Sequence, residues 1–185
     1  MQVPELFEKH HSTLKKTSLD DSTTEKVYMS ESEQDVIDFD AVKKEYKRKF
    51  CPSADARSCD ALLIENEKFA LIEFKNGKIT SNEEKEKIRS KIGESLLIFN
   101  DLVERNLSFD RNNIHFVLVY NKQKNEKFEK DRNNSLNKLN GILANKAADS
   151  YLLEGFKHYQ FMFKTVRTIN EEEFKNLIDN NRIFY

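Results

Sequence analysis

Apolar and polar positions follow two different rhythms along the chain. Around residues 60–75 the rhythm suits extended backbone. Asp60–Ile64 and Phe69–Phe74 are apolar runs joined by Glu65-Asn66-Glu67-Lys68, a hairpin signal, and Gly77 ends the second run. From residue 83 to 106 the rhythm becomes helical. Ile88, Ile92, Leu96, Phe99 and Val103 fall on one stripe, which Ile98 and Leu102 widen. Ile114–Tyr120 is almost wholly apolar and predicts a central strand covered on both faces.

The flanking segments are weaker. A helix is expected after Asp38 or Asp40, with Val42, Tyr46 and Lys49 on one face and Glu45 beside them. Cys51–Ser58, with Pro52, reads as a loop. Residues 126–146 are a charged helix candidate, and Tyr159–Val166 alternates as a strand would. Asn170 and Glu173 have the spacing of a capping box opening a last helix through Ile178. Residues 1 to about 34 read as a polar extension, with a short helix near Pro4–Lys16 and then a loop. This order predicts an α/β fold, a mixed β-sheet flanked by helices, in one domain over residues 1–185.

Composition narrows the function classes. The 185 residues suffice for a real core, and 14 Phe with no Trp make Phe its main bulky component. The net charge of −1 argues against a protein coated by nucleic acid, so any phosphate-binding surface must be a local patch. No apolar run approaches membrane-spanning length, and the N-terminus lacks the apolar stretch of a secretory signal. Cys51 and Cys59 form no CxxC and read as reduced thiols, which fits a cytoplasmic protein.

The chemistry is concentrated in residues 59–78. Asp60, Leu62 and Ile64 share one face of the first strand; Phe69, Leu71, Glu73 and Lys75 share one face of the second. Matching apolar partners sets Leu62 opposite Leu71 and Ile64 opposite Phe69. The same register sets Asp60 opposite Glu73, with Cβ atoms ~5 Å apart. Two carboxylates that close repel, so one must hold a proton or a cation must lie between them. A hard divalent cation takes such ligands. Lys75, on the same face, reaches the edge of the site.

An Asp opening one strand, E-x-K on the next and a long helix after it resemble the PD-(D/E)XK nuclease family, over roughly residues 36–121. The resemblance implies a restriction-endonuclease-like core and hydrolysis of phosphodiester bonds. It implies Mg²⁺ (or Mn²⁺) held by Asp60, Glu73 and the carbonyl of Phe74, and a water oriented or activated by Lys75. Glu45, on the preceding helix, is the candidate assisting acid, with Glu33 the fallback. Cys59 stands where the family has Pro. Implied partners are nucleic acid, DNA before RNA, with room for a homodimer; the setting is defence or mobile-element biology.

E-x-K alone has little weight in so charged a chain. Glu83/Lys85 and Glu173/Lys175 also fit it, within predicted helices. The competing reading of residues 60–75 is an edge hairpin with an ordinary salt-bridge cluster. Lys78, Lys87 and Lys91 are candidates for nucleic-acid binding, and Lys87, Lys91 and Ser95 share a helical face. The bland alternative is a solvated face balanced by Glu. His10 and His11 read as surface residues and His115 as a core or rim residue, with no zinc spacing among them. Two functions follow: a metal-dependent nuclease, or an inactive binding module on the same fold that recognises a protein partner.

Overall fold

The computed structural model describes residues 4–22, 24–50, 52–53, 55–137 and 152–185. In chain order its elements are α1 (Glu5–Lys9), β1 (His11–Thr13), α2 (Leu14–Thr17), β2 (Leu19–Asp20), β3 (Val27–Tyr28), β4 (Asp35–Asp38), α3 (Phe39–Phe50), β5 (Ala61–Glu65), β6 (Lys68–Lys75), α4 (Asn82–Val103), α5 (Leu107–Asn113), β7 (Ile114–Tyr120), α6 (Glu126–Asn137), β8 (Thr165–Asn170) and α7 (Glu171–Asp179). A mixed six-stranded sheet runs in the order β1-β4-β5-β6-β7-β8, and β2 and β3 form a separate small hairpin.

The expected hairpin is the middle of this sheet. Leu62 pairs with Leu71 and Ile64 with Phe69, antiparallel, as apolar matching requires. Asn66 (φ 48°) and Glu67 (φ 59°) make the two-residue turn, both left-handed, a geometry whose twist suits the flanking strands. On one side β4 continues the antiparallel half. On the other, β7 and then β8 run parallel to β6. The crossover between β6 and β7 carries the long helix α4 and the short α5. All of β7 is buried, which accounts for its unbroken apolar sequence.

Two cores cover the two faces. Leu62, Phe69, Leu71, Phe116 and Leu118 pack under α3 and α4. Ala61, Leu63, Ala70, Ile72, Val117 and Val119 pack under α7, with Phe174 and Ile178. The α4 stripe is buried throughout: Ile88, Ile92, Leu96, Phe99 and Val103 are each at most 8% exposed. Among the described residues, no helix is long and apolar enough to cross a membrane.

Three expectations change. The helix expected near Pro4–Lys16 is split into α1, β1 and α2, because His11–Thr13 adds to the sheet beside β4. Its Leu6 and Phe7 enter one core and Leu14 the other, so this stretch packs as part of the fold. The strand expected at Tyr159–Val166 lies at Thr165–Asn170, and Phe156–Phe161 is a 3₁₀ helix. The large apolar residues there pack an irregular segment against β8 and into the core below it. Helix α5 was not foreseen; seven residues with a single turn of apolar pattern carry little periodic signal. Asp38 does cap α3, accepting from the Ala41 N–H at 2.9 Å. Asn170 and Glu173 do form the capping box of α7. The charged helix expected over 126–146 is seen as α6 up to Asn137; the remainder, and Cys51, lie outside the described residues. Cys59 is a free, buried thiol.

Candidate active site

Four elements meet where β5 begins and β6 ends. The last ladder pair between them is Ala61 with Ile72, so Asp60 sits one residue outside the strand rather than in a formal pair with Glu73. Its position is fixed by the backbone. The Asp60 N–H donates to the Ile72 carbonyl at 3.0 Å, and the Asp60 carbonyl accepts from Phe39, the first residue of α3, at 3.1 Å. The carboxylate then turns across the open end of the ladder and accepts from the Phe74 N–H, Oδ2 at 2.6 Å. N–H and C=O of one strand residue point to the same side, so the Phe74 carbonyl also faces the Asp60 side, away from β7. The Phe74 ring anchors this backbone from the opposite face, edge-on to Phe174 at 5.4 Å.

Asp60 and Glu73 project to the face covered by α4, as side-chain alternation predicts. There a residue expected to bind phosphate does something else. Lys91 Nζ lies 2.8 and 2.9 Å from the two oxygens of Glu73 and 3.3 Å from Asp60 Oδ1. Lys75 approaches from the solvent side, 3.5 Å from Glu73 Oε1 and 3.3 Å from Glu84 Oε2. Glu84 was not anticipated. It lies in the first turn of α4, where Ser81 caps the helix by accepting its N–H at 3.2 Å. Ser95, one turn beyond Lys91, accepts the buried N–H of Cys59 at 2.7 Å and so holds α4 against the residue preceding Asp60.

The electrostatics follow from depth. Glu73 is fully buried, while Asp60 and Lys91 are each 23% exposed at the side chain. Burial, reinforced by the Asp60 charge, pushes the Glu73 carboxyl up to about 8 against the pull of Lys91 and Lys75. Burial raises Asp60 too, opposed by Lys91 and by the Phe74 N–H. Burial works against the charge on Lys91, but Glu73 and Asp60 outweigh it and hold the ammonium protonated. The site is thus a buried and a partly exposed acid sharing one ammonium, with a second ammonium at the rim.

A polar cleft of about 530 Å³ opens beside it. It is lined by Asp60, Lys75 and Glu84 and, from the N-terminal stretch, by Thr17–Asp20 and Met29. Its floor is a hydrogen-bonded net: Asn76 donates to Asp20 at 2.8 Å and accepts from Asn121 at 2.9 Å. Lys78 lines this cleft and is exposed. Lys87 is held by Glu83 and Glu84, at 2.7 and 2.9 Å, and carries no free charge toward the cleft.

Glu45 is not part of this site. It lies 2.8 Å from His10 Nε2, with Lys9 and Arg48 nearby. The reason is geometric: α3 starts against Asp60, and six further residues carry Glu45 ~9 Å along its axis. Glu33 is exposed in the segment before β4. The acid of α3 nearest its start is Asp40, held well below the usual range, at about 2, where hydrogen bonds from Lys43, Ser58 and Lys44 overcome its partial burial.

Among the described residues, no three His, Cys, Asp or Glu side chains are arranged to hold a metal ion. The donors do suit a hard divalent cation in kind, being two carboxylates and a carbonyl oxygen. Such an ion would have to take the carboxylate oxygens that Lys91 now holds. Comparison with known proteins finds no matching family model, no matching curated protein and no matching solved structure.

Proposed function

We propose that the chain is a metal-dependent nuclease of the PD-(D/E)XK class, hydrolysing phosphodiester bonds, with DNA the preferred substrate over RNA. The observation that carries this reading is the convergence of Asp60, Glu73 and Lys75 on one face at the edge of a polar cleft. Asp60, Glu73 and the Phe74 carbonyl would hold Mg²⁺ or Mn²⁺. Bound there, the ion would polarise a phosphoryl oxygen and lower the pKa of a water.

The protein's own groups do the rest. The Phe74 N–H holds the Asp60 carboxylate and the Lys91 ammonium contacts both oxygens of Glu73, so both acids are oriented in advance. Lys75, 20% exposed and 3.5 Å from Glu73, would orient a water and stabilise negative charge on the phosphate. Glu84 holds Lys75 in that direction. Lys78 supplies a positive charge along the cleft for the phosphate backbone. A cytoplasmic setting, a role in defence or mobile-element biology and a homodimeric form belong to the same proposal.

A second reading has one observation of its own. Lys91 already ion-pairs with both acids, as it would in a structural cluster on an inactive binding module. The test is cleavage of single- and double-stranded DNA and of RNA in Mg²⁺, Mn²⁺ and chelator, with Lys75→Ala alongside. Metal-dependent cleavage that Lys75→Ala loses supports the nuclease. Metal binding without cleavage of any substrate supports the binding module.

A further inference from the structure

We propose that Lys91 is a positioning residue for the acid pair, a built-in counter-cation that holds Asp60 and Glu73 together in the resting protein and must withdraw when a divalent ion enters. The proposal rests on the metal-dependent reading of the site.

Three carboxylate oxygens lie within 3.3 Å of one ammonium. Both oxygens of Glu73 are on Lys91, and that side chain is fully buried, so water cannot screen its charge. A hard divalent ion needs the same oxygens. Two cations cannot share them at contact distance around the fully buried Glu73 without strong repulsion. The ammonium and the ion are therefore competitors.

The geometry also shows what can move. The backbone of α4 is fixed at this level, because Ser95 holds the Cys59 N–H and the Lys91 carbonyl lies 3.9 Å from the Cys59 thiol. The Lys91 side chain is not sealed in; it is 23% exposed on a flexible four-carbon stem. Withdrawal is thus a side-chain swing with the helix in place. Lys75 is a poor candidate for the same role. It is farther from Glu73 and shares its charge with Glu84.

This gives the lysine two consequences that a merely structural residue would lack. It keeps two neighbouring carboxylates aimed at one point before any ion arrives. It also weakens the metal affinity of the resting site, since each binding event must break the ammonium's contacts.

The test uses the full chain with Lys91→Met, which keeps length and removes charge, and Lys91→Arg, which restores charge. Mn²⁺ binding is measured by calorimetry at one fixed near-neutral pH for all proteins, and thermal melting is followed with and without metal. The expected result is a lower metal-free melting temperature for Lys91→Met together with about tenfold or greater tightening of Mn²⁺ binding. Lys91→Arg should return affinity toward the wild-type value, and Lys75→Met should change it much less. A lower melting temperature with unchanged or weaker Mn²⁺ affinity in Lys91→Met overturns the proposal while leaving the metal site standing. Absence of Mn²⁺ binding in both wild type and Lys91→Met overturns the proposal and the metal-dependent reading together.

Discussion

Replacing Glu73 by Gln should stabilise the metal-free protein at alkaline pH and flatten its stability profile. In the folded chain this carboxyl sits at about 8, because it is buried and faces Asp60; its ordinary value is 4.5. Between those two pH values the folded state keeps a proton that the unfolded state has released. Folding therefore takes up a proton, and stability falls as pH rises through the window, levelling above it. The gap corresponds to a ceiling of ~5 kcal/mol at ~1.4 kcal/mol per pH unit. Adjustment of Lys91 and Lys75 around the ionised pair reduces it, so the expected difference lies below that ceiling. Asp60 is also raised and is coupled to Glu73, so the difference between the two proteins reports the acid pair as a unit. The assay is urea unfolding in chelator at pH 5, 7 and 9. Gln mimics the protonated acid, so the two proteins should be similar at pH 5 and the variant more stable at pH 9. A wild-type stability that rises from pH 5 to 9 relative to the variant would refute the electrostatic account of the pair.

Other expectations are independent of that one. Ser95→Ala leaves the buried Cys59 N–H without its acceptor and should cost ~1–3 kcal/mol in chemical denaturation. Ile92→Ala empties a fully buried position under α4 and should cost ~2–5 kcal/mol by the same measurement. Glu104→Gly relieves a left-handed residue (φ 52°) at the C-terminus of α4 and should stabilise by ~1 kcal/mol, read as a higher melting temperature. Lys75→Ala should leave metal affinity nearly intact in calorimetry while lowering single-turnover cleavage by ~100-fold or more.

The centre of the fold was legible because its physics is local. Apolar matching across a two-residue turn determined the β5–β6 register, and a 3.6-residue stripe picked out the buried face of α4. The acid pair followed from that register, since strand alternation leaves no freedom in which face Asp60 and Glu73 take. Long-range packing was not legible. Lys91 and Ser95 were recognised as sharing a helical face, but spacing alone does not say that this face lies on an acid pair. Its charge was read as available to a phosphate. Glu45 was misplaced for the converse reason: proximity to an apolar stripe says nothing of how far along the helix the site lies. Phe7, Leu14 and Met29 were hidden in a polar stretch, where isolated apolar residues show no period although each reaches a core.

The most direct test is cleavage of nucleic acid by the purified chain in Mg²⁺ or Mn²⁺, compared between wild type, Asp60→Asn and Glu73→Gln under single-turnover conditions. The expected result is cleavage by the wild type that chelator abolishes, and loss of that cleavage in both variants with the fold retained by circular dichroism. Cleavage that persists in either acid variant, or that continues in chelator, would contradict it.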